Sequence, residues 1–124
     1  MRRPAETERQ LHEAVAAYLA LALPADAVWT TFPAGEYRTK ATGGRLKGMG
    51  LKRGWPDLQI LYAGRLHGLE LKTRKGRLSP EQAERHREIR EAGGVVEVCR
   101  SLAEVELALA GWGVPLRAST MEAA

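Results

Sequence analysis

The stretch that decides the fold is Gly54-Trp55-Pro56-Asp57-Leu58-Gln59-Ile60-Leu61-Tyr62-Ala63-Gly64-Arg65-Leu66-His67-Gly68-Leu69-Glu70-Leu71-Lys72. Two apolar runs, Leu58 to Tyr62 and Leu66 to Lys72, flank Ala63-Gly64-Arg65, whose glycine breaks the extended chain. Two strand-like runs about a short glycine-bearing segment predict a β-hairpin. With an even-numbered loop of two or four residues, directly opposed positions sum to 127, which sets Asp57 against Glu70. Side chains alternate across a strand, so Lys72 shares a face with Glu70 while Leu58, Ile60, Leu69 and Leu71 turn to the other face and a core.

Opposed side chains on paired strands lie only about 4.5–5.5 Å apart at Cβ, so facing carboxylates repel unless a positive charge sits between them. Mg²⁺ suits such a place, because it takes one or two carboxylates and completes its shell with phosphate and water oxygens. A Glu-x-Lys triplet alone equally suits a solvated strand face in a charged chain. The Pro56-Asp57 pair at matching register is what adds weight to the ion site.

Working outward, the 20 residues before Asp57 carry Arg38, Lys40, Arg45, Lys47, Lys52 and Arg53 and no acid between Tyr37 and Pro56. Gly43, Gly44, Gly48 and Gly50 interrupt them. This reads as a pliable cationic loop with at most a short helical turn, either solubilising or able to neutralise nucleic-acid phosphates. After Lys72, Thr73 to Leu78 is a second cationic turn, whose Arg74, Lys75 and Arg77 read as further phosphate contacts or as simply solvated, the former favoured.

The flanks are helical and extended in turn. A first helix is expected over Glu6 to Ala22, opened by a capping box of Thr7 and Gln10, with Leu11, Val15, Tyr18, Leu19 and Ala22 as its apolar stripe. At about 100° per residue, Val15 and Leu19 fall within roughly 20° of Glu8 on the helical wheel, so Glu8 is the acid on the inward edge. First-turn dipole compensation accounts for an early Glu equally well. Ala27 to Phe32 reads as the first strand. Ser79, Pro80 and Gln82 supply the cap, first position and capping box of a helix ending near Ala92, with Ala83, His86 and Ile89 facing inward. Capping alone explains Gln82 on local grounds. Val95 to Cys99 is a nearly continuous apolar strand, central or parallel, and Ser101 with Glu104 opens a last helix from Leu102 to about Gly111. The expected order is α-β-β-β-α-β-α, a mixed sheet between helical layers.

Composition bounds the rest. A chain of 124 residues holds one core, here placed in 1–116 with a loose tail over 117–124. The single cysteine, Cys99, excludes an internal disulfide and a multi-cysteine zinc site, which favours a reducing, cytoplasmic setting. The net charge of +4 is modest, and no run is apolar enough to span a membrane.

Taken together, Gly54-Trp55-Pro56-Asp57, Glu70-Leu71-Lys72 and Gly76-Arg77-Leu78-Ser79-Pro80-Glu81-Gln82 resemble the virus-type replication-repair nuclease (VRR-Nuc) family of the PD-(D/E)xK nuclease superfamily. The resemblance spans residues 6 to 115 and implies a three-layer restriction-endonuclease-like core. It implies that Asp57, Glu70 and the Leu71 main-chain carbonyl hold Mg²⁺, with Mn²⁺ as a substitute. Lys72 then resembles the catalytic lysine, Gln82 the glutamine near the site, and Glu8 the first-helix acid that acts through water. Implied with it are cleavage of DNA, branched or four-way in structure, action as a homodimer, and a phage or bacterial setting in replication, recombination or repair. The segment Pro33-Ala34-Gly35-Glu36-Tyr37-Arg38 departs from the Asn-Glu-Gly-like segment of relatives, and His86 stands where an apolar residue is common. His12, His67 and His86 read as packing or surface residues. Other readings of the same residues are a non-catalytic nucleic-acid-binding module, a restriction-type endonuclease of the same superfamily, and a purely structural α/β domain.

Overall fold

A computed structural model of the chain describes residues 6–32 and 40–120, with backbone alone at 40–42. The hairpin forms as the sequence dictates. Strands β2 (Leu58–Tyr62) and β3 (Arg65–Leu71) pair antiparallel with Leu58 against Leu69 and Tyr62 against Arg65. The loop is the two-residue kind, Ala63 and Gly64, both at positive φ (51° and 77°), as a type I′ turn requires. Strand β1 (Val28–Thr31) joins β2 antiparallel, and β4 (Val95–Cys99) joins β3 in parallel, giving the sheet order β1-β2-β3-β4. β4 is parallel as expected but lies at the sheet's edge rather than its centre.

One face of the sheet is covered by α1 (Glu8–Ala22) and α4 (Leu102–Gly111). Their stripes, Leu11, Val15 and Leu19 from α1 and Val105 and Leu109 from α4, close on Leu58, Ile60, Leu69, Leu71 and Cys99 in one core. The Thr7–Gln10 capping box is present in both directions. The opposite face receives α3 (Pro80–Glu91), capped reciprocally by Ser79 and Gln82. Its inward stripe is Gln82, His86 and Ile89, three positions within about 60° of arc. Ala83, expected to face inward, is exposed.

Two further expectations change. The basic segment is helical over Lys40–Gly48 (α2), so the element order gains a helix and becomes α-β-α-β-β-α-β-α. Its glycines are outweighed by residues of ordinary helix propensity, and Gly50, at φ 103°, follows its end. The C-terminal segment is held rather than loose up to residue 120. Arg117 donates its backbone N–H to the Ala22 carbonyl at 2.8 Å, Tyr18 donates its hydroxyl to the Ala118 carbonyl at 2.9 Å, and Thr120 bonds Glu106. No helix among the described residues is long and apolar enough to cross a membrane.

The motif glycines and proline are packing devices. Gly54 (φ 86°) lies against the backbone of Glu81 at the start of α3, where no side chain fits. Pro56 covers Gly68 across the hairpin, and a Cβ there would sit 2.6 Å from Pro56 Cγ. Gly68→Ala is therefore expected to lower stability by about 1–3 kcal/mol, as overpacking does. A denaturant titration checks this, and an unchanged midpoint would show that Pro56 can retreat.

Candidate active site

The site sits at the end of the sheet where β2 begins and β3 ends, beside the first turns of α1 and α3. Asp57 immediately precedes β2, and its Oδ2 accepts from the Leu71 N–H at 2.7 Å. Its own carbonyl accepts from Phe32 N (2.7 Å) and Thr31 Oγ1 (3.3 Å), so the residue is fixed from both neighbouring strands. A strand residue directs its N–H and C=O to the same side. Since the Leu71 N–H meets Asp57, the Leu71 carbonyl is turned toward the same edge, beside the Asp57 carboxylate.

Glu70 is 1% exposed. Its Oε1 pairs with His86 Nε2 at 2.9 Å and its Oε2 accepts from Gln82 Nε2 at 3.4 Å, both from α3. The Asp57 and Glu70 carboxyl groups come close enough to influence each other directly. Burial first, then this contact and the adjacent charge, push Asp57 up to about 7. Burial also raises Glu70, while the Asp57 contact and the Lys72 ammonium pull it back.

Lys72 follows β3, its N–H bound to the Cys99 carbonyl at 3.1 Å. Its Nζ lies 4.0 Å from Glu8 Oε1, with the lysine side chain 13% and the glutamate side chain 55% exposed. The structure thus brings together Asp57, Glu70, Lys72, Gln82 and Glu8, drawn from both faces of the sheet. Gln82 serves two ends: Oε1 completes the helix cap at Ser79 N (2.9 Å) while Nε2 reaches Glu70. Gln82→Ala is expected to destabilise the domain by about 1 kcal/mol and also to reduce activity, by less than loss of Lys72. A fall in melting temperature with full activity would leave capping as its only role.

Among the predicted cations, Arg45, Lys47, Lys52, Arg53, Arg74, Lys75 and Arg77 are exposed. Arg53 lies 3.8 Å from Glu81. Arg38 and the Pro33–Arg38 departure lie outside the described residues, as does the side chain of Lys40.

Two residues at the site were missed as such. His86 is 1% exposed and bonded to Glu70, not merely packed; its spacing of four from Gln82 was the available signal. Arg100 donates from Nη1 to the Thr73 (2.7 Å) and Gly76 (2.6 Å) carbonyls and so fixes the cationic turn after Lys72. Nothing local in the sequence announces that bond. His12, read as packing or surface, shares a 2.7 Å hydrogen bond with Thr31 Oγ1 and lowers Asp57 electrostatically. His67 is a core residue against Trp112 and Tyr62.

No group of three or more His, Cys, Asp or Glu side chains among the described residues is arranged to hold a metal ion. Two facing carboxylates and a main-chain carbonyl are instead an all-oxygen set of the kind Mg²⁺ accepts and structural zinc does not. Burial, the first cause that raises both acids, disfavours their charged forms, and a bound cation would offset it. On donor chemistry, the residues fit.

No family model and no curated protein matches the sequence. Solved structures do. A "VRR_NUC domain protein" superposes with a TM-score of 0.65 at 20% identity, covering 86% of this chain and 88% of that one. A "VRR_NUC domain" superposes with a TM-score of 0.55, also at 20% identity, over 86% of this chain and 99% of that one. With its mixed four-stranded sheet between helical layers, the chain folds as a VRR-Nuc-like domain of restriction-endonuclease type.

Proposed function

We propose that this domain is a divalent-metal-dependent nuclease that hydrolyses phosphodiester bonds in DNA. The observation that carries the reading is the carboxyl pair of half-buried Asp57 and buried Glu70 with the Lys72 side chain nearby. Two acids with raised affinity for a proton are a poor surface for a polyanion unless a cation joins them. Asp57, Glu70 and the Leu71 carbonyl would hold Mg²⁺ or Mn²⁺, with Glu8 assisting through water. What the ion supplies when bound is polarisation of the scissile phosphate and activation of a water.

The chain's own groups do the rest. Lys72, shielded from solvent and paired with Glu8, orients the attacking water and offsets charge that develops on phosphorus. The exposed cations Arg45, Lys47, Lys52 and Arg53, with Arg74, Lys75 and Arg77, hold the phosphate backbone, and Arg100 keeps their turn in place. Arg38 and Lys40 belong to the same basic run. A single copy carries one such site, so paired cuts in opposed strands call for a homodimer. Branched or four-way DNA, met in replication, recombination or repair of phage or bacterial genomes, is the substrate class that the resemblance favours.

The test is a set of labelled linear and branched DNAs incubated with Mg²⁺, Mn²⁺ or a chelator. Metal-dependent scission, strongest on branched DNA, is expected. Binding without scission under any metal would establish a non-catalytic binding module instead, and equal cutting of all substrates would remove the structural preference.

A further inference from the structure

His86 lies outside every motif that carries the resemblance, yet it makes the shortest hydrogen bond to Glu70 from α3. Both side chains are 1% exposed and 2.9 Å apart. As a cation ligand the Glu70 carboxylate can only accept, so Nε2 is the donor of this bond and Nδ1 is left over. Nδ1 is buried and has no hydrogen-bond partner among the described residues. A buried unpaired polar atom costs about 1–3 kcal/mol, a penalty that an apolar residue of similar volume would avoid. A histidine retained for packing alone has no need of it.

Gln82 and His86 stand one helical turn apart and grip the two oxygens of Glu70 separately. Of the two contacts, that of Gln82 is long at 3.4 Å, and its side chain is already committed to the cap of α3. His86 is therefore the group that sets the rotation of the Glu70 carboxylate. We propose that His86 is a positioning residue, whose Nε2–H holds Glu70 in the orientation needed to share a divalent cation with Asp57. This rests on the metal-dependent reading above and adds a residue to it. Partners that orient a ligating carboxylate typically contribute 10–100-fold to metal affinity or activity.

Two substitutions separate donation from volume. His86→Leu fills the space without a donor, and His86→Gln keeps an N–H near the position of Nε2. Mn²⁺ titrated calorimetrically into the wild type, both variants and Asp57→Asn, in the absence of DNA, reads the ion site directly, with circular dichroism to check folding. Wild type is expected to bind, Asp57→Asn to lose binding, His86→Leu to bind about 10-fold or more weakly, and His86→Gln to recover most of the difference. Wild-type affinity in folded His86→Leu would overturn the positioning role and leave the metal site standing. Should His86→Leu fail to fold, His86→Gln decides: its binding as tightly as wild type supports donation, and its binding 10-fold more weakly opposes it. Absence of Mn²⁺ binding by the wild type would overturn the metal-dependent reading itself, and the role of His86 with it.

Discussion

Lys72→Ala is expected to reduce metal-dependent DNA cleavage by about 10³-fold, to the level of background, while leaving the fold intact. The side chain is 13% exposed, and its ammonium pairs with Glu8 and acts electrostatically on Glu70, so no solvent cation replaces it in the same place. Removing one preorganised charge from a transition state typically costs about 10²–10³ in rate. Folding is spared because the strand contact of this residue is its main chain, which donates to the Cys99 carbonyl and survives the substitution. The ion pair with the half-exposed Glu8 contributes about 0–1 kcal/mol. Lys72→Arg is not expected to rescue, since a planar guanidinium cannot occupy the place of a compact ammonium. Cleavage of a labelled substrate alongside a thermal melt checks both halves. Turnover within a few-fold of wild type by folded Lys72→Ala would remove this lysine from the chemistry.

The second large effect concerns Asp57 and pH. In the metal-free protein Asp57 is raised from 3.8 to about 7, chiefly by burial and by Glu70. The folded state thus holds this proton more tightly than the unfolded chain does. Stability from that proton is complete below about pH 4 and is lost as pH rises through about 7, so the metal-free domain weakens across this interval. Asp57→Asn removes the charge, and its side-chain oxygen can still accept from Leu71 N while its amide donates to Glu70. At pH 8 the variant is expected to be more stable than wild type by on the order of 2–3 kcal/mol, after discounting for partial exposure. That corresponds to a melting temperature about 5–10 °C higher. At pH 4 the two should melt alike. Mg²⁺ at pH 8 should raise the melting temperature of wild type and not of Asp57→Asn, because only the former gains ligand-binding energy. The variant should be inactive throughout. A wild-type melting temperature that does not fall between pH 4 and 8 would mean that the acid pair is not strained in the folded chain. Such a trade of stability against activity is common where like charges are assembled for function.

Much of this site was legible before any coordinates. The hairpin register follows from a loop of two residues and a side-chain period of two, and it alone sets Asp57 near Glu70 and buries Leu58, Ile60, Leu69 and Leu71 on the other face. The wheel position of Glu8 and the two capping boxes are likewise local, because a helix fixes which residues share a face and which donors lack partners at its start. Their reach ends where the chain must fold back. That β4 is an edge strand, and that the tail is tied to α1 and α4, depends on contacts between segments far apart in sequence.

The same limit explains His86 and Arg100. His86 looks like an ordinary inner-face residue of α3 until that helix is laid on the sheet, where Glu70 meets its ring. Arg100 looks like a solvated residue before a cap until its guanidinium is found on the carbonyls of Thr73 and Gly76. Local sequence determined the elements, their faces and the acids and lysine of the site, since these obey short-range periodicity. Only the tertiary structure decided which group holds each of them in place, since a hydrogen bond across two layers is a matter of distance in space and leaves no period in the chain.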